Sequence, residues 1–318
     1  MPKPNQPRLN GVHLLFITPL TKDYKLNEDA VREEVEWTVQ NGLQGIWAGG
    51  YIGEWTVLEE ETKKKLYKII AEQNKGRLYI SAGAHGINTL QSIRLVNYAE
   101  ELGYDSAWIS PPTPRKMTED EIYNHYKMIH DNTRLPFGLY NTYPKNIYVR
   151  PSLMSRIAKL ERVITCKDAI GDICHIVNLY NECKDQIKKG FKILGVPYNF
   201  LPILMFGGVG VTSNNWDAAM CLAMYEAFHK GDYKKCIEIQ CGLNASWPLL
   251  LVEALAQQAY AAKIFSSNIG MRKLQASLCM DIDMGPPMAP FLPATPEEAQ
   301  RVKTSLEKIP IKVKPLKR

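Results

Sequence analysis

Short apolar, β-branched runs alternate along this chain with longer stretches in which apolar residues recur every three or four positions. The first pattern suits a buried parallel strand and the second an amphipathic helix. Residues 12–17 read as a strand. Asn27 then caps a helix whose Val31, Val35 and Val39 share one face, with Gly42 closing it. Residues 44–48 form strand two, about 60–73 helix two and 78–81 strand three. Asn88 caps helix three with Gln91 in the capping-box position, and Gly103 lies near its end. Residues 106–110 form strand four, and Thr118 with Glu121 opens helix four. Strand five covers 137–140, and Pro151 starts helix five as a first-turn proline can. Strand six covers 163–166 and leads into Lys167 and Asp168; helix six follows to about residue 183. Strand seven (191–194), a helix across 201–206, strand eight (208–212) and helix eight (216–229) complete the series.

Eight strand–helix units with no linker between them predict a parallel sheet, and that number predicts closure. The expected fold is a TIM (β/α)8 barrel over residues 1–230, residues 1–10 being an N-terminal tail. A C-terminal helical region with a basic tail is expected over 231–318, broken by Pro286, Pro287, Pro290, Pro293 and Pro296. An open doubly wound sheet is the rival, but its glycine fingerprint after strand one is replaced by Thr18-Pro19-Leu20-Thr21.

Composition narrows the function. With 318 residues, 45% hydrophobic and 23% charged, the chain is neither disordered, collagenous nor a coiled coil. The net charge of +6 invites a nucleic-acid reading, but six bases lie at the ends: Lys3, Arg8, Lys312, Lys314, Lys317 and Arg318. Without them, 33 bases face 33 acids. The body is neutral, the ends read as solvated tails, and no nucleic-acid partner is expected. No stretch approaches the ~18 apolar residues of a membrane span, and no signal peptide is seen, so no membrane partner is expected. The seven cysteines are odd in number and contain no C-x-x-C, which suits reduced thiols in a cytoplasmic protein. Cys236 and Cys241 fall on different helix faces.

In such a barrel, functional groups gather at the C-terminal ends of strands. Lys167 ends strand six. Most lysines reach solvent or pair with a neighbouring acid, here Asp168. A lysine at the end of a β-branched strand is instead desolvated, which favours the neutral amine that attacks a ketone. Tyr140 ends the adjacent strand, where a phenol can serve as proton relay, although strand-end tyrosines more often pack. The turn Gly49-Gly50-Tyr51-Ile52-Gly53-Glu54 is able to aim backbone amides at a carboxylate. Lys192, at the wrong end of strand seven, reads as solvated. The six histidines form no metal-binding spacing. His125 and His130 read as surface residues, and His13 and His85 as secondary pocket candidates. Trp47, Tyr51 and Trp55 cluster around the strand-two turn and read mainly as packing.

Together these motifs resemble the dihydrodipicolinate synthase / N-acetylneuraminate lyase family of Schiff-base aldolases. Gly50-Tyr-Ile-Gly-Glu54 is similar to the family's G-[TS]-T-G-E, and Tyr140-Asn141-Thr142 to Y-N-x-P, with proline one place late at Pro144. Ile164-Thr-Cys-Lys167-Asp168-Ala-Ile-Gly171-Asp172 is similar to I-G-x-K-[ED]-x-x-G-D, and residues 207–213 to G-G-x-G-V-x-S. The resemblance covers essentially the whole chain. It implies a Schiff base between Lys167 and pyruvate or another 2-oxo acid, with Tyr140 as proton shuttle. It implies a Gly195 carbonyl facing the pocket and substrate contacts from Gly50, Tyr51, Ile52 and Thr212. It also implies no metal or organic cofactor, an aldehyde as second substrate, and a homo-oligomer, dimer or tetramer.

The chain departs from the family at three places. Tyr51 and Ile52 replace a hydroxyl pair, Thr113 falls where an aromatic relay residue is expected, and Lys145 falls near an arginine position. These departures point away from lysine biosynthesis and toward a different aldehyde or leaving group. Two further readings stay open: a deoxy-sugar-acid dehydratase or synthase-like condensation on the same scaffold, and a barrel that binds a small ligand without turnover.

Overall fold

The computed structural model describes residues 7–112, 117–142, 148–251 and 269–317. Eight parallel strands close in sequence order into a barrel. They are β1 (Gly11–Leu15), β2 (Gly45–Ala48), β3 (Tyr79–Gly83), β4 (Ser106–Ile109), β5 (Phe137–Asn141), β6 (Val163–Asp168), β7 (Lys192–Gly195) and β8 (Gly210–Ser213). Helices α1 (Glu28–Gln40), α2 (Glu60–Asn74), α3 (Thr89–Glu101), α4 (Glu119–Asn132), α5 (Pro151–Ile157), α6 (Ile173–Lys188), α7 (Phe200–Met205) and α8 (Ala218–His229) follow the strands in turn. Among the described residues three more helices come after the barrel: α9 (Tyr233–Leu251), α10 (Ile269–Met280) and α11 (Pro296–Glu307). The TIM-barrel expectation holds. Among the described residues no helix is long and apolar enough to cross a membrane.

The caps explain why the helices start where they do. The Asn27 side chain accepts the Ala30 amide, and the Thr118 hydroxyl and Glu121 carboxylate form a reciprocal box. At α3 the Asn88 side chain accepts the Gln91 amide at 2.9 Å, but Gln91 Oε1 takes the Ile87 amide at 2.7 Å. The return bond therefore goes one residue earlier than a capping box requires.

Alternation along each strand divides the core in two. An outer layer joins strands to helices. The barrel interior is aromatic: Trp47, Tyr79, Trp108 and Tyr140 pack there with Leu9, Ile164 and Leu194. Such interiors are usually filled by branched aliphatics. Gly138 makes room for this one, since a Cβ there would lie 2.6 Å from the Trp108 ring.

The register of β5 against β6 shifts once. Phe137 pairs with Val163, but Gly138 pairs with Thr165, leaving Ile164 as an extra residue. Ile164 faces the interior, Cys166 joins the outer layer, and the Lys167 side chain turns inward again. Uninterrupted alternation from Ile164 would have sent Cys166 inside and Lys167 outside.

The C-terminal tail differs from the solvated segment expected. Its lysine side chains are exposed, but its backbone docks on the end of α1. Trp37 Nε1 and Asn41 Nδ2 donate to the Lys314 carbonyl at 2.7 and 3.0 Å, and the Lys314 amide returns a bond to Asn41 Oδ1 at 2.9 Å. Ile311, Val313 and Leu316 pack on the core. At the other end Arg8 donates to the Gly76 carbonyl at 3.1 Å, and residues 1–6 lie outside the described residues. Lys192 also departs from expectation: it is half-buried and donates to Asn10 Oδ1 at 2.7 Å.

The region after the barrel is tied to the strand-two turn. Glu54, fully buried at φ 63°, meets Lys273 Nζ of α10 at 2.9 Å and accepts the Met288 amide at 2.5 Å. Lys273 also donates to the Pro286 carbonyl at 2.7 Å. Burial pushes the Glu54 carboxyl up and the Lys273 ammonium down, each partly offset by the other. Removing one partner of such a pair strands a buried charge, at a cost of about 3–5 kcal/mol. Lys273→Met is therefore expected to lose stability of that order in chemical denaturation, with part recovered by adding Glu54→Gln. A single variant within about 1 kcal/mol of wild type would contradict the role given to this pair.

Candidate active site

Lys167 and Tyr140 are cross-strand partners on β6 and β5 and converge at the C-terminal mouth of the barrel. The Lys167 amine lies 4.6 Å from the Trp47 ring centroid and 4.7 Å from that of Tyr140. Lys167 is buried, and its next residue does not compensate it. Asp168 turns the other way, accepting Asn141 Nδ2 at 3.0 Å, His175 Nε2 at 2.9 Å and the Ile170 amide at 3.1 Å. Asn141 is itself fixed by two bonds to Val149, its Oδ1 accepting the amide at 2.8 Å and its Nδ2 donating to the carbonyl at 3.2 Å. The Lys–Asp pairing that would have made Lys167 an ordinary structural lysine is absent.

Burial, assisted by the nearby Arg272 guanidinium, lowers the Lys167 ammonium from 10.5 to about 7. Near neutral pH a large share of the amine carries a free lone pair. Burial acts oppositely on the Tyr140 phenol, raising it to about 12, with the neighbouring Thr142 side chain offsetting part of the rise. The phenol is thus protonated at neutral pH, the form able to donate a proton. Thr142 had entered the sequence reading only as the variable residue of the Tyr-Asn motif; its signal is its spacing of two from Tyr140, on the same side of the strand.

The other sequence candidates spread around the same rim. Gly195 ends β7, and its carbonyl faces the Thr212 hydroxyl of β8 at 3.5 Å. Gly50, Tyr51 and Ile52 form a tight turn closed by Gly53 N–H to Gly50 O and Glu54 N–H to Tyr51 O, both 3.1 Å. The Thr18 hydroxyl anchors this turn from the end of β1 by donating to the Gly53 carbonyl at 2.8 Å. Trp47, read mainly as packing, forms the floor beneath the amine. Thr113, Pro144 and Lys145 lie outside the described residues.

The histidines sort differently from expectation. His13 sits at the N-terminal end of the barrel, bonded to the Leu9 carbonyl at 3.0 Å with its ring against Tyr79, and is remote from the mouth. His125 is not a surface residue: it is buried, with Nδ1 2.9 Å from the Thr89 hydroxyl. His85 does reach the mouth, its ring 5.8 Å from Tyr140 and 4.9 Å from Trp55.

Arg272 and Asn214 were not singled out by the sequence. Arg272 is buried on α10 and donates to Asn214 Oδ1 at 3.2 Å, just past β8. Asp217 holds Asn214 in turn, through its amide at 2.7 Å and its Nδ2 at 2.6 Å. Burial lowers Arg272 to about 10, partly offset by Asp217, so it remains a cation at neutral pH. Its signal was faint because it lies 105 positions from Lys167 in the sequence, on a helix outside the barrel. Among the described residues no group of three or more His, Cys, Asp or Glu is placed to hold a metal ion.

The model of the dihydrodipicolinate synthetase family matches residues 8–309. The 4-hydroxy-tetrahydrodipicolinate synthase of Rhodospirillum centenum (strain ATCC 51521 / SW) is 30% identical over 305 residues, covering 93% of this chain and 98% of that one. That of Nitratidesulfovibrio vulgaris (strain DP4) is 30% identical over 230 residues, 71% of this chain and 77% of that one. Among solved structures, YagE is a prophage protein of the dihydrodipicolinic acid synthase family from E. coli K12, crystallised in complex with pyruvate. It superposes with a TM-score of 0.85 at 20% identity, covering 95% of this chain and 99% of that one. N-acetylneuraminate lyase from Mycoplasma synoviae gives 0.80 at 21%, covering 95% and 98%. At these identities the two structures speak to the fold alone.

The position of Lys167 sets a pH dependence for any reaction that uses its free amine. Below about 7, the rate at subsaturating carbonyl compound is expected to rise about tenfold per pH unit and then to level off. An ordinary lysine would keep rising toward 10.5. Arg272→Met removes a neighbouring cation, so the midpoint is expected to move to higher pH. A rate still climbing tenfold per unit above pH 9, measured by borohydride trapping, would contradict the assignment.

Proposed function

Since this chain belongs to the dihydrodipicolinate synthetase family, we propose that it is a class I aldolase or lyase acting on pyruvate or another 2-oxo acid. One observation carries the reading: the Lys167 amine is buried against Trp47 and Tyr140, without a carboxylate partner among the described residues, and lowered to about 7. The Lys167 Nζ lone pair attacks the C2 carbonyl, whose oxygen takes its proton from the Tyr140 phenol. Loss of that oxygen as water, its second proton coming from the attacking amine, leaves an iminium and a Tyr140 phenolate. The iminium withdraws electrons from C3, so transfer of a C3 proton to the phenolate, or cleavage of the C3–C4 bond of an aldol adduct with its C4 hydroxyl proton passing to the phenolate, leaves an enamine and restores the phenol. In the synthetic direction the enamine attacks an aldehyde, the new bond forms at C3, and the aldehyde oxygen becomes a hydroxyl. Tyr140 supplies that proton and recovers it when the reaction reverses.

The 2-oxo acid carboxylate is assigned to the turn at Gly50, Tyr51 and Ile52, where backbone amides take over the work of the missing hydroxyls. The Ile52 amide donates to none of the described residues. Gly195 and Thr212 close the opposite wall. The relatives of this chain at 30% identity are synthases by name. The same sequence of steps serves a condensation, and the aldehyde is where this chain is proposed to differ.

A homo-oligomer is part of the same proposal. Met205 and Phe206 at the end of α7 and Tyr233 and Ile237 at the start of α9 are exposed on elements that pack together. Burying that patch against a second copy would remove it from water. Light scattering is expected to read a dimer or tetramer, and a monomer at micromolar concentration would rule this out.

Trapping tests the chemistry directly. Wild type incubated with pyruvate and borohydride is expected to gain the mass of a reduced pyruvate adduct on Lys167, and Lys167→Ala to gain none. Tyr140→Phe is expected to form the adduct more slowly but still reach it on long incubation, and to lose about 10²–10⁴-fold in turnover. No adduct on wild type with pyruvate or longer 2-oxo acids would overturn the proposal.

A further inference from the structure

His85 has a settled tautomer and an unused proton. It follows β3, whose inward positions are Tyr79 and Ser81; the second of these accepts the Trp108 indole N–H at 3.0 Å. Two and four residues further on, the same face reaches the rim. The His85 ring lies 6.0 Å from that of Trp47, 5.8 Å from Tyr140 and 4.9 Å from Trp55. His85 Nδ1 accepts the Ser110 backbone amide at 3.0 Å, with the Ser110 hydroxyl at 3.1 Å. A backbone N–H can only donate, so Nδ1 is the bare nitrogen and the ring proton sits on Nε2. Nε2 is on the far side of the ring from Ser110. It is buried and has no hydrogen-bond partner among the described residues. The indole N–H groups of Trp47 and Trp55 share that condition.

A buried donor without an acceptor is costly, and a cluster of them around a reactive amine points to an acceptor that arrives with the substrate. Around the mouth the order is Lys167 on β6, Tyr140 on β5, then His85 beyond β3, with Trp47 of β2 as floor. A carbon chain fixed at C2 by Lys167 would run past the Tyr140 phenol toward His85. We propose that His85 is a substrate-contacting residue whose Nε2–H donates a hydrogen bond to the aldehyde-derived oxygen of the aldol pair. It would make that contact between the Trp47 and Trp55 indoles. In the addition step the enamine C3 bonds to the aldehyde carbon and the carbonyl π pair moves onto that oxygen. The oxygen takes its proton from Tyr140, and His85 keeps its own throughout. Burial, with the ammonium fields of Lys63 and Lys167, holds the imidazole near a pKa of about 3, consistent with a neutral donor rather than a shuttle. The pocket's second substrate is then an aldehyde whose oxygen is read by N–H donors and whose remainder meets aromatic faces.

This inference rests on the Schiff-base reading, and two substitutions separate the two. Asn places an acceptor where Nδ1 is and nothing where Nε2 is. Gln places an amide donor near Nε2 and leaves Ser110 unmet. Two rates are measured: solvent deuterium exchange into the pyruvate methyl group, which needs the iminium but no aldehyde, and condensation of pyruvate with a panel of aliphatic and aromatic aldehydes. In His85→Asn, exchange is expected within about twofold of wild type and condensation kcat/KM lower by at least about 100-fold. In His85→Gln, condensation is expected to recover to within about tenfold of wild type. Wild-type condensation in His85→Asn, or an equal loss in both variants, overturns the proposal. So does a wild type that exchanges pyruvate protons yet condenses with no aldehyde, because the oxygen invoked is then never presented. Absence of exchange in wild type would instead overturn the Schiff-base reading itself.

Discussion

One extra residue in β6 decides what this barrel can do. Because Ile164 is left over where β5 and β6 pair, the strand changes phase and delivers Lys167, rather than Cys166, to the interior. Among the described residues the amine then has two aromatic rings as neighbours and no carboxylate, and its lowered pKa follows from that buried setting. An aliphatic interior would have desolvated it as well. The aromatic one adds faces of negative potential that favour the charged form slightly. The pKa near 7 reflects burial, with Arg272 pushing the same way.

The surrounding carboxylates are kept away from the amine by being given other work. Asp168 is occupied by Asn141 and His175, Asp217 by Asn214, and Glu54 by Lys273. Each is buried and each is bonded, so none is free to neutralise Lys167. This division of partners is the electrostatic counterpart of the strand geometry: the rim holds several acids, yet none of these three bonds the amine at its centre.

Much of this was legible in the sequence. The strand–helix alternation, the caps at Asn27 and Thr118, and the strand-end positions of Lys167 and Tyr140 all follow from local patterns that the fold preserves. What escaped depends on contacts between distant residues. The bulge at Ile164 is defined only by its pairing with β5. Arg272 reaches the mouth from a helix after the barrel. His125 lies on a polar-looking face of α4 that α3 happens to cover, so its surface assignment failed. The basic tail failed for a related reason: its lysines are solvated as expected, but the interspersed Ile311, Val313 and Leu316 supply a docking face that charge counting overlooks.

Arg272 and Lys273 are consecutive residues of α10, yet one serves the Lys167 side of the mouth and the other the Glu54 turn. A single helix outside the barrel thus holds two of the rim's fixed charges. The appendage cannot be treated as a later decoration that a lineage might shed. Losing it would strip the amine of its electrostatic neighbour and strand a buried acid in a left-handed turn at the same moment. Barrel and appendage are therefore bound to be inherited together, and a change in either at these positions calls for a matching change in the other.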